Sequence, residues 1–242
     1  LEALGFFEED LSVLKNASRA ASGMVIMVGP TGSGKTTTLY AMLNLINSPS
    51  RNILTIENPV EYELPGITQI SIDPDQDLDF SKTLRAALRQ DPDVILIGEI
   101  RDEETAEIAV KAALTGHLVL TTLHSRDALT VIQRLKNLGI SADLLSETLN
   151  LIVSQKLVRR LCRHHRREKN CRNCRGTGYH GRTPLYEILK LDQNLRDRIR
   201  ENVSGPALLE GIEGVYFRGM KETAGLLLEQ RITDIKLSLI HI

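Results

Sequence analysis

One run of residues constrains this chain more than any other. Met24-Val25-Ile26-Met27-Val28 is an apolar stretch of strand length that feeds the turn Gly29-Pro30-Thr31-Gly32-Ser33-Gly34. The turn in turn feeds Lys35-Thr36-Thr37-Thr38-Leu39-Tyr40, which suits a helix. Gly29, Gly34, Lys35 and Thr36 fit G-x-x-x-x-G-K-[ST], the pattern of a phosphate-cradling loop between strand and helix. The spacing has a chemical reason. Glycines let the backbone curl until successive N–H groups face inward on phosphate oxygens. The helix behind the loop turns its positive end toward the same anion. The Lys35 ammonium then reaches the β- and γ-phosphates, and the Thr36 hydroxyl stands where it can ligate Mg²⁺. Gly29, Pro30, Thr31, Gly32, Ser33, Gly34, Lys35, Thr36 and Thr37 are therefore the expected nucleotide-binding set, with ATP and Mg²⁺ as the expected ligands.

At 242 residues the chain can bury a sizeable core, as one large domain or one domain with an appendage. Its formal net charge of −1 offers no global argument for a nucleic-acid or acidic partner. No apolar run approaches the length of a membrane span. The three cysteines all fall within residues 162–174, which points away from a disulfide framework and toward a metal site in a reducing compartment. A cytoplasmic protein is the expectation. The sequence starts at Leu1 and reads as a piece of a longer protein. Its last residues, 237–242, read as a translated sequencing adapter, the alternative being an apolar tail that packs as the end of a strand or helix.

Taken in order, residues 8–20 carry Leu11, Leu14 and Ala17 on one helical face, with acids at the start. Residues 35–46 read as a helix ended by Asn47-Ser48-Pro49, and residues 52–57 as a buried strand finishing in Glu57. A short strand or hairpin arm is expected at 66–72, a helix at 79–89, a strand at 94–97 followed by Gly98-Glu99, a helix at 103–114 and a strand at 117–122. Strands that are continuously apolar and alternate with helices predict a parallel sheet covered on both faces. Residues 127–160 carry helical patterns, so the C-terminal part is expected to be mostly helical.

In an open parallel sheet, ligands bind beyond the carboxyl ends of the strands. The phosphate loop, Glu57 to Glu61, Gly98-Glu99 and His124 all follow predicted strands, so they should meet. Phosphoryl transfer to water needs a group that orients the water and cations that offset developing charge. Glu57, Glu61 and Glu99 are the carboxylates available, and Arg85, Arg89 and Arg101 are the candidate cations. At these motifs the chain resembles the type II secretion/type IV pilus ATPase family. Thr55-Ile56-Glu57-Asn58-Pro59-Val60-Glu61-Tyr62 resembles its Asp box. Leu88 through Leu96-Ile97-Gly98-Glu99-Ile100-Arg101-Asp102 resembles its Walker B, with Gly before a functional Glu, and Thr115-Gly116-His117 through Leu123-His124 resembles its His box.

The resemblance implies an α/β fold: a RecA-like P-loop NTPase core with a mostly parallel sheet, then a small zinc-binding loop module and a helical C-terminal subdomain. It implies Lys35 on phosphate, Thr36 on Mg²⁺, Glu99 as the Walker B carboxylate, Glu57 polarising the attacking water and His124 sensing the γ-phosphate. Asn58 departs from the family's usual Asp and cannot act as a base, which shifts weight to Glu57, with Glu61 second. The expected division is a linker helix at 1–22 following an absent N-terminal domain, an ATPase core at 23–155, a metal module at 156–182, the helical subdomain at 183–236 and the adapter at 237–242.

Cys162-Arg163-His164-His165 and Cys171-Arg172-Asn173-Cys174 are a Cys-x-x-His and a Cys-x-x-Cys pair, which suit tetrahedral Zn²⁺ in a closed structural site. The expected ligands are Cys162, His165, Cys171 and Cys174, with His164 as the rival imidazole and free thiols on a basic loop as the alternative. Residues 156–182 contain ten Lys or Arg and a single acid, Glu168. A solvated basic surface accounts for this, and so would nucleic acid, but Tyr179 is the one interleaved aromatic and argues weakly against a single-strand platform. The resemblance implies a homo-hexamer docked on inner-membrane platform and anchor proteins, peripheral at the inner membrane and near an acidic lipid surface. A nucleic-acid translocase of the P-loop class and a pilus retraction motor are the alternatives. Retraction motors of the family generally lack the cysteine module.

Overall fold

The computed structural model describes residues 1–73, 79–165, 171–211 and 214–235. The adapter reading at 237–242, and Arg166, Arg167, Glu168 and Lys169 of the basic segment, lie outside the described residues. Among the described residues an eight-stranded sheet forms the centre, in the order β3-β2-β4-β5-β1-β6-β7-β8. The strands are β1 (Gly23–Val28), β2 (Ile53–Glu57), β3 (Thr68–Ser71), β4 (Val94–Ile100), β5 (Leu118–Leu123), β6 (Leu149–Leu161), β7 (Tyr179–Lys190) and β8 (Phe217–Arg218). From β3 through β6 every pairing is parallel, and β7 and β8 add antiparallel.

Both faces of the sheet are covered, which is why β1, β2 and β5 are buried at every position rather than at alternate ones. Val25 and Met27 of β1 face one layer, built from α1 (Glu8–Ser18) and α2 (Lys35–Ile46), where Leu14, Leu39, Met42 and Leu43 are wholly buried or nearly so. Met24, Ile26 and Val28 face the opposite layer. That layer is built from α3 (Phe80–Leu88), α4 (Glu103–Leu114), α5 (Ala128–Asn137), α6 (Ala142–Thr148) and α7 (Gln193–Arg200). The helix α8 (Met220–Glu229) packs on β7 through Leu185, Ala224 and Leu227.

The helical reading of 127–160 is corrected from residue 149 onward. After α5 and α6 the chain enters β6, thirteen residues long, paired parallel to β1 and antiparallel to β7. A short apolar run such as Leu149-Asn150-Leu151-Ile152-Val153 fits either period, and periodicity alone does not decide between them. Here the open edge of β1 decides: Val25 to Val28 pair with Leu151 to Ser154. The expected boundaries at 155/156 and 182/183 therefore fall inside β6 and β7. The cysteine segment is the tip of a hairpin rooted in the central sheet, and the C-terminal part contributes β7 and β8 as well as helices.

A buried polar hub ties the two ends of the chain together. Asp10 is fully buried, and its carboxylate accepts the Tyr186 hydroxyl at 2.7 Å, the Tyr216 hydroxyl at 2.6 Å and the Arg218 Nε–H at 2.9 Å. Arg218 also pairs with Glu9 at 2.8 Å and Glu222 at 3.0 Å, and the Phe7 backbone N–H donates to the Tyr186 oxygen at 3.0 Å. Burial, and then Asp10, pushes the Tyr186 hydroxyl far above the ordinary phenol range, so it stays a donor. Removing one partner of a buried ion pair strands the other. Asp10→Ala should therefore lower the unfolding free energy by about 3 kcal/mol or more, read from urea titrations against the unsubstituted chain. A loss under about 1 kcal/mol would mean that Glu9 and Glu222 suffice for Arg218.

Candidate active site

Parallel strands share a direction, so β1, β2, β4 and β5 deliver their carboxyl ends to one edge of the sheet. The loop after β1 has Gly29, Gly32 and Gly34 at φ 141°, 75° and 87°, conformations that favour glycine. Gly29 is also needed for space, because a Cβ there would lie 2.1 Å from the Gln155 carbonyl oxygen. The helix α2 begins directly behind the loop with no capping side chain and no acid in its first turn. Among the eight α-helices of the described residues it alone lacks both. Its leading amides are thus left for an anion supplied from outside the chain.

Beside the loop lies a cleft of about 210 Å³ lined by Thr31, Gly32, Lys35, Thr36, Glu57, Asn58, Pro59, Glu61, Phe80, Gly98, Glu99, Thr122 and His124. All four expected strand ends meet here. Pro30 stands exposed at the outer turn, Gly29 is buried beneath it, and Ser33 is buried with no partner for its hydroxyl among the described residues. Gly34 and Thr37 line a second hollow of about 310 Å³ on the other side of the loop. The Lys35 ammonium donates to the carbonyls of Gly29 at 2.9 Å and Pro30 at 3.0 Å. Burial pulls its pKa below the ordinary lysine value, and the Glu99 carboxylate opposes that shift.

The acids differ in freedom. Glu57 is 3% exposed, and its oxygens accept the Tyr40 hydroxyl at 2.5 Å and the Thr55 hydroxyl at 2.6 Å. Glu99 lies within a break in the register of β4, and the Thr122 hydroxyl donates to the adjoining Gly98 carbonyl at 2.6 Å. Its carboxylate reaches Arg101 at 2.6 Å and the exposed His124 at 3.3 Å. Glu61 is exposed on the cleft wall. Two expected cations do not come to the site: Arg85 pairs with Glu104 at 2.7 Å, and Arg89 donates to the Arg85 carbonyl. Arg101 reaches it through Glu99, with its own side chain largely in solvent.

Three contributors were not singled out from sequence. Tyr40 sits one helical turn past the phosphate loop and binds Glu57, Thr122 braces Gly98, and Gln155 of β6 binds the loop from below. The available signals were a tyrosine in an otherwise apolar helix face and an amide closing the run Leu151-Ile152-Val153-Ser154.

At the hairpin tip the sulfurs of Cys162, Cys171 and Cys174 lie within 4.8 Å of one another, all buried and none in a disulfide. Cys162 and Cys171 are 3.8 Å apart, which matches the edge of a tetrahedron with metal–sulfur bonds of about 2.3 Å. The Nδ1 of His165 is 3.4 Å from the Cys174 sulfur, and its ring packs on Gly178, whereas His164 is exposed. Burial pushes the Cys174 thiol up, but the Gly178 backbone and the neighbouring thiols pull it down more, to about 7. The three sulfurs form the converging donor set, and His165 reaches it only at Cys174. Nearby, Arg163, Arg172, Arg175 and Arg182 are exposed. Tyr179 is already engaged, under the Arg159 guanidinium at 4.4 Å and donating to Asp234.

A family model described as type II/IV secretion system protein matches residues 1–237. The type II secretion system protein HxcR of Pseudomonas aeruginosa is 47% identical over 229 residues, which take in 92% of this chain and 49% of that protein. The type IV pilus assembly ATPase PilB of the same organism is 39% identical over 262 aligned positions, covering 98% of this chain and 46% of that one. Among solved structures, the pilus retraction motor PilT with bound ADP superposes with a TM-score of 0.78 at 31% identity, over 100% of this chain and 66% of that one. The chain spans about half the length of the curated relatives it matches.

Proposed function

The chain belongs to the type II/IV secretion system protein family, and from that premise we propose that it is an ATP-hydrolysing motor subunit powering type II secretion or type IV pilus or pseudopilus assembly. The observation that carries the proposal is the gathering of Lys35, Thr36, Glu57, Glu99 and His124 on one cleft beside the uncapped start of α2. The PilT structure, which holds ADP, shares this fold.

In this reading the loop amides of residues 32–36 take the phosphate chain, and Lys35 exchanges its two loop carbonyls for phosphate oxygens. The Thr36 hydroxyl, with Glu99 across the cleft, would hold Mg²⁺, which would offset charge developing on the phosphate. Glu99, the Walker B carboxylate, is needed for attack by water on the terminal phosphate. Glu57, held by Tyr40 and Thr55, fixes the field on the far wall and polarises that water. His124 lies against Glu99 and is exposed on its other side, so a terminal phosphate in the cleft competes for it and makes it a sensor. With Arg85 and Arg89 drawn away, further positive charge comes from a neighbouring subunit of a homo-hexamer, where such cations contribute strongly to rate. The same reading puts the motor at the cytoplasmic face of the inner membrane, on platform and anchor proteins, with the basic hairpin toward acidic lipid. Among the described residues no helix is long and apolar enough to cross a membrane. The commitment of Tyr179 within the chain disfavours a nucleic-acid platform. The cysteine module favours secretion or extension over retraction.

Lys35→Ala and Glu99→Gln separate binding from turnover. Glu99→Gln should keep Mg-ATP affinity within about threefold and lose turnover by about 10²-fold or more, whereas Lys35→Ala should lose the binding itself. Normal phosphate release in both variants of the assembled motor would overturn the proposal. We further propose that Cys162, His165, Cys171 and Cys174 hold one structural Zn²⁺. Metal analysis of the purified protein should find about one zinc per chain, lost in Cys171→Ser together with several degrees of thermal midpoint. Zinc-free protein with an unchanged midpoint would leave only free thiols on a basic loop.

A further inference from the structure

The phosphate loop is usually read as self-sufficient, but here a residue 122 positions away holds it. Gln155, on β6, is 2% exposed. Its side-chain Nε2 donates to the Ser33 carbonyl at 2.7 Å, and its Oε1 accepts the Thr38 hydroxyl at 2.9 Å. The amide orientation follows from chemistry, because a carbonyl can only accept and so the nitrogen must face Ser33. The oxygen is left for the hydroxyl of Thr38 in the first turn of α2. The Gln155 backbone carbonyl meanwhile lies so close to Gly29 that only a glycine fits there. One residue thus touches the loop where it starts, just before its lysine, and in the helix that follows.

We propose that Gln155 is a positioning residue that holds the phosphate loop in its anion-accepting curl. The inference rests on the ATP-binding reading above and deepens it. For the loop amides to converge on an anion, the carbonyls between them must turn outward, and an outward carbonyl in a buried setting needs a donor. The Ser33 carbonyl finds that donor in Gln155. Without it, the cheapest remedy is for the peptide to rotate toward water, which turns the following N–H away from the phosphate. Thr38 supplies the second tether and fixes the amide plane.

The test is a titration of the purified 242-residue chain with a fluorescent ADP analogue and Mg²⁺, in the unsubstituted protein and in Gln155→Met, Thr38→Val and Thr38→Ser. Methionine keeps the length and burial of Gln155 and removes both bonds. Two lost hydrogen bonds should raise Kd about tenfold in Gln155→Met, one should raise it about threefold in Thr38→Val, and Thr38→Ser should stay within about twofold. The thermal midpoint gives the second readout. ADP should raise it in the unsubstituted chain and in Thr38→Ser, and much less in Gln155→Met. Unchanged affinity in Gln155→Met overturns the inference, and so does an affinity loss that merely tracks the midpoint of the nucleotide-free variants. If Gln155→Met does not fold, unsubstituted affinity in Thr38→Val overturns it on its own. Failure of the unsubstituted chain to bind would instead count against the ATP reading.

Discussion

The site is organised by one helix start that no side chain among the described residues caps. Among the described residues, five helices begin under a capping side chain, Asp79, Asp102, Asp127, Ser141 or Asp192, and two others carry acids in their first turn. The helix α2 has neither, and it begins at a glycine in left-handed geometry. A helix start of this kind is tolerable where an anion completes it. Everything around it serves that condition. The buried parallel strands fix the sheet, their shared direction carries Glu57, Glu99 and His124 to the same edge, and the Glu99 carboxylate there acts on the lysine that follows the loop.

The hairpin of β6 and β7 is the second organising element, because it touches the site from both of its faces. Gln155 points to the phosphate loop, and its cross-strand partner Tyr186 points to Asp10. On the opposite face Glu187 accepts the Ala128 backbone N–H at 2.8 Å, at the head of α5 and four residues past His124. Burial pushes the Glu187 carboxyl above its ordinary range. The same two strands extend to the cysteine cluster. A displacement at the tip is therefore borne by strands that brace both the loop holding phosphate and the helix behind the histidine, which is a rigid connection in a close-packed interior.

How much of this was legible in the sequence follows from the range of the forces involved. The phosphate loop is local, its glycines and lysine being set by neighbours within a few residues, and the helix at 35–46 ends where its sequence predicts. The parallel core was legible because burial on two faces leaves a continuous apolar run. Residues 149–161 were not, since their short apolar run fits helix and strand alike and only the vacant edge of β1 chooses. The Asp10 hub joins residues more than 200 positions apart, as with Arg218, so no window contains it. Arg85 and Arg89 were placed near the site by sequence order, but Glu104 on the adjacent helix claims Arg85 first. Gln155 was hidden for a similar reason: a buried amide announces that it has partners without saying which.

Amide hydrogen exchange, followed by mass spectrometry with and without Mg-ATP, tests most directly whether the four strand ends act as one nucleotide site. Nucleotide should slow exchange across residues 31–36 and, over the same concentration range, in the segments around Glu57 to Glu61, Glu99 and His124. Slowing of residues 31–36 without the other three segments, or none at residues 31–36 at saturating nucleotide, would contradict it.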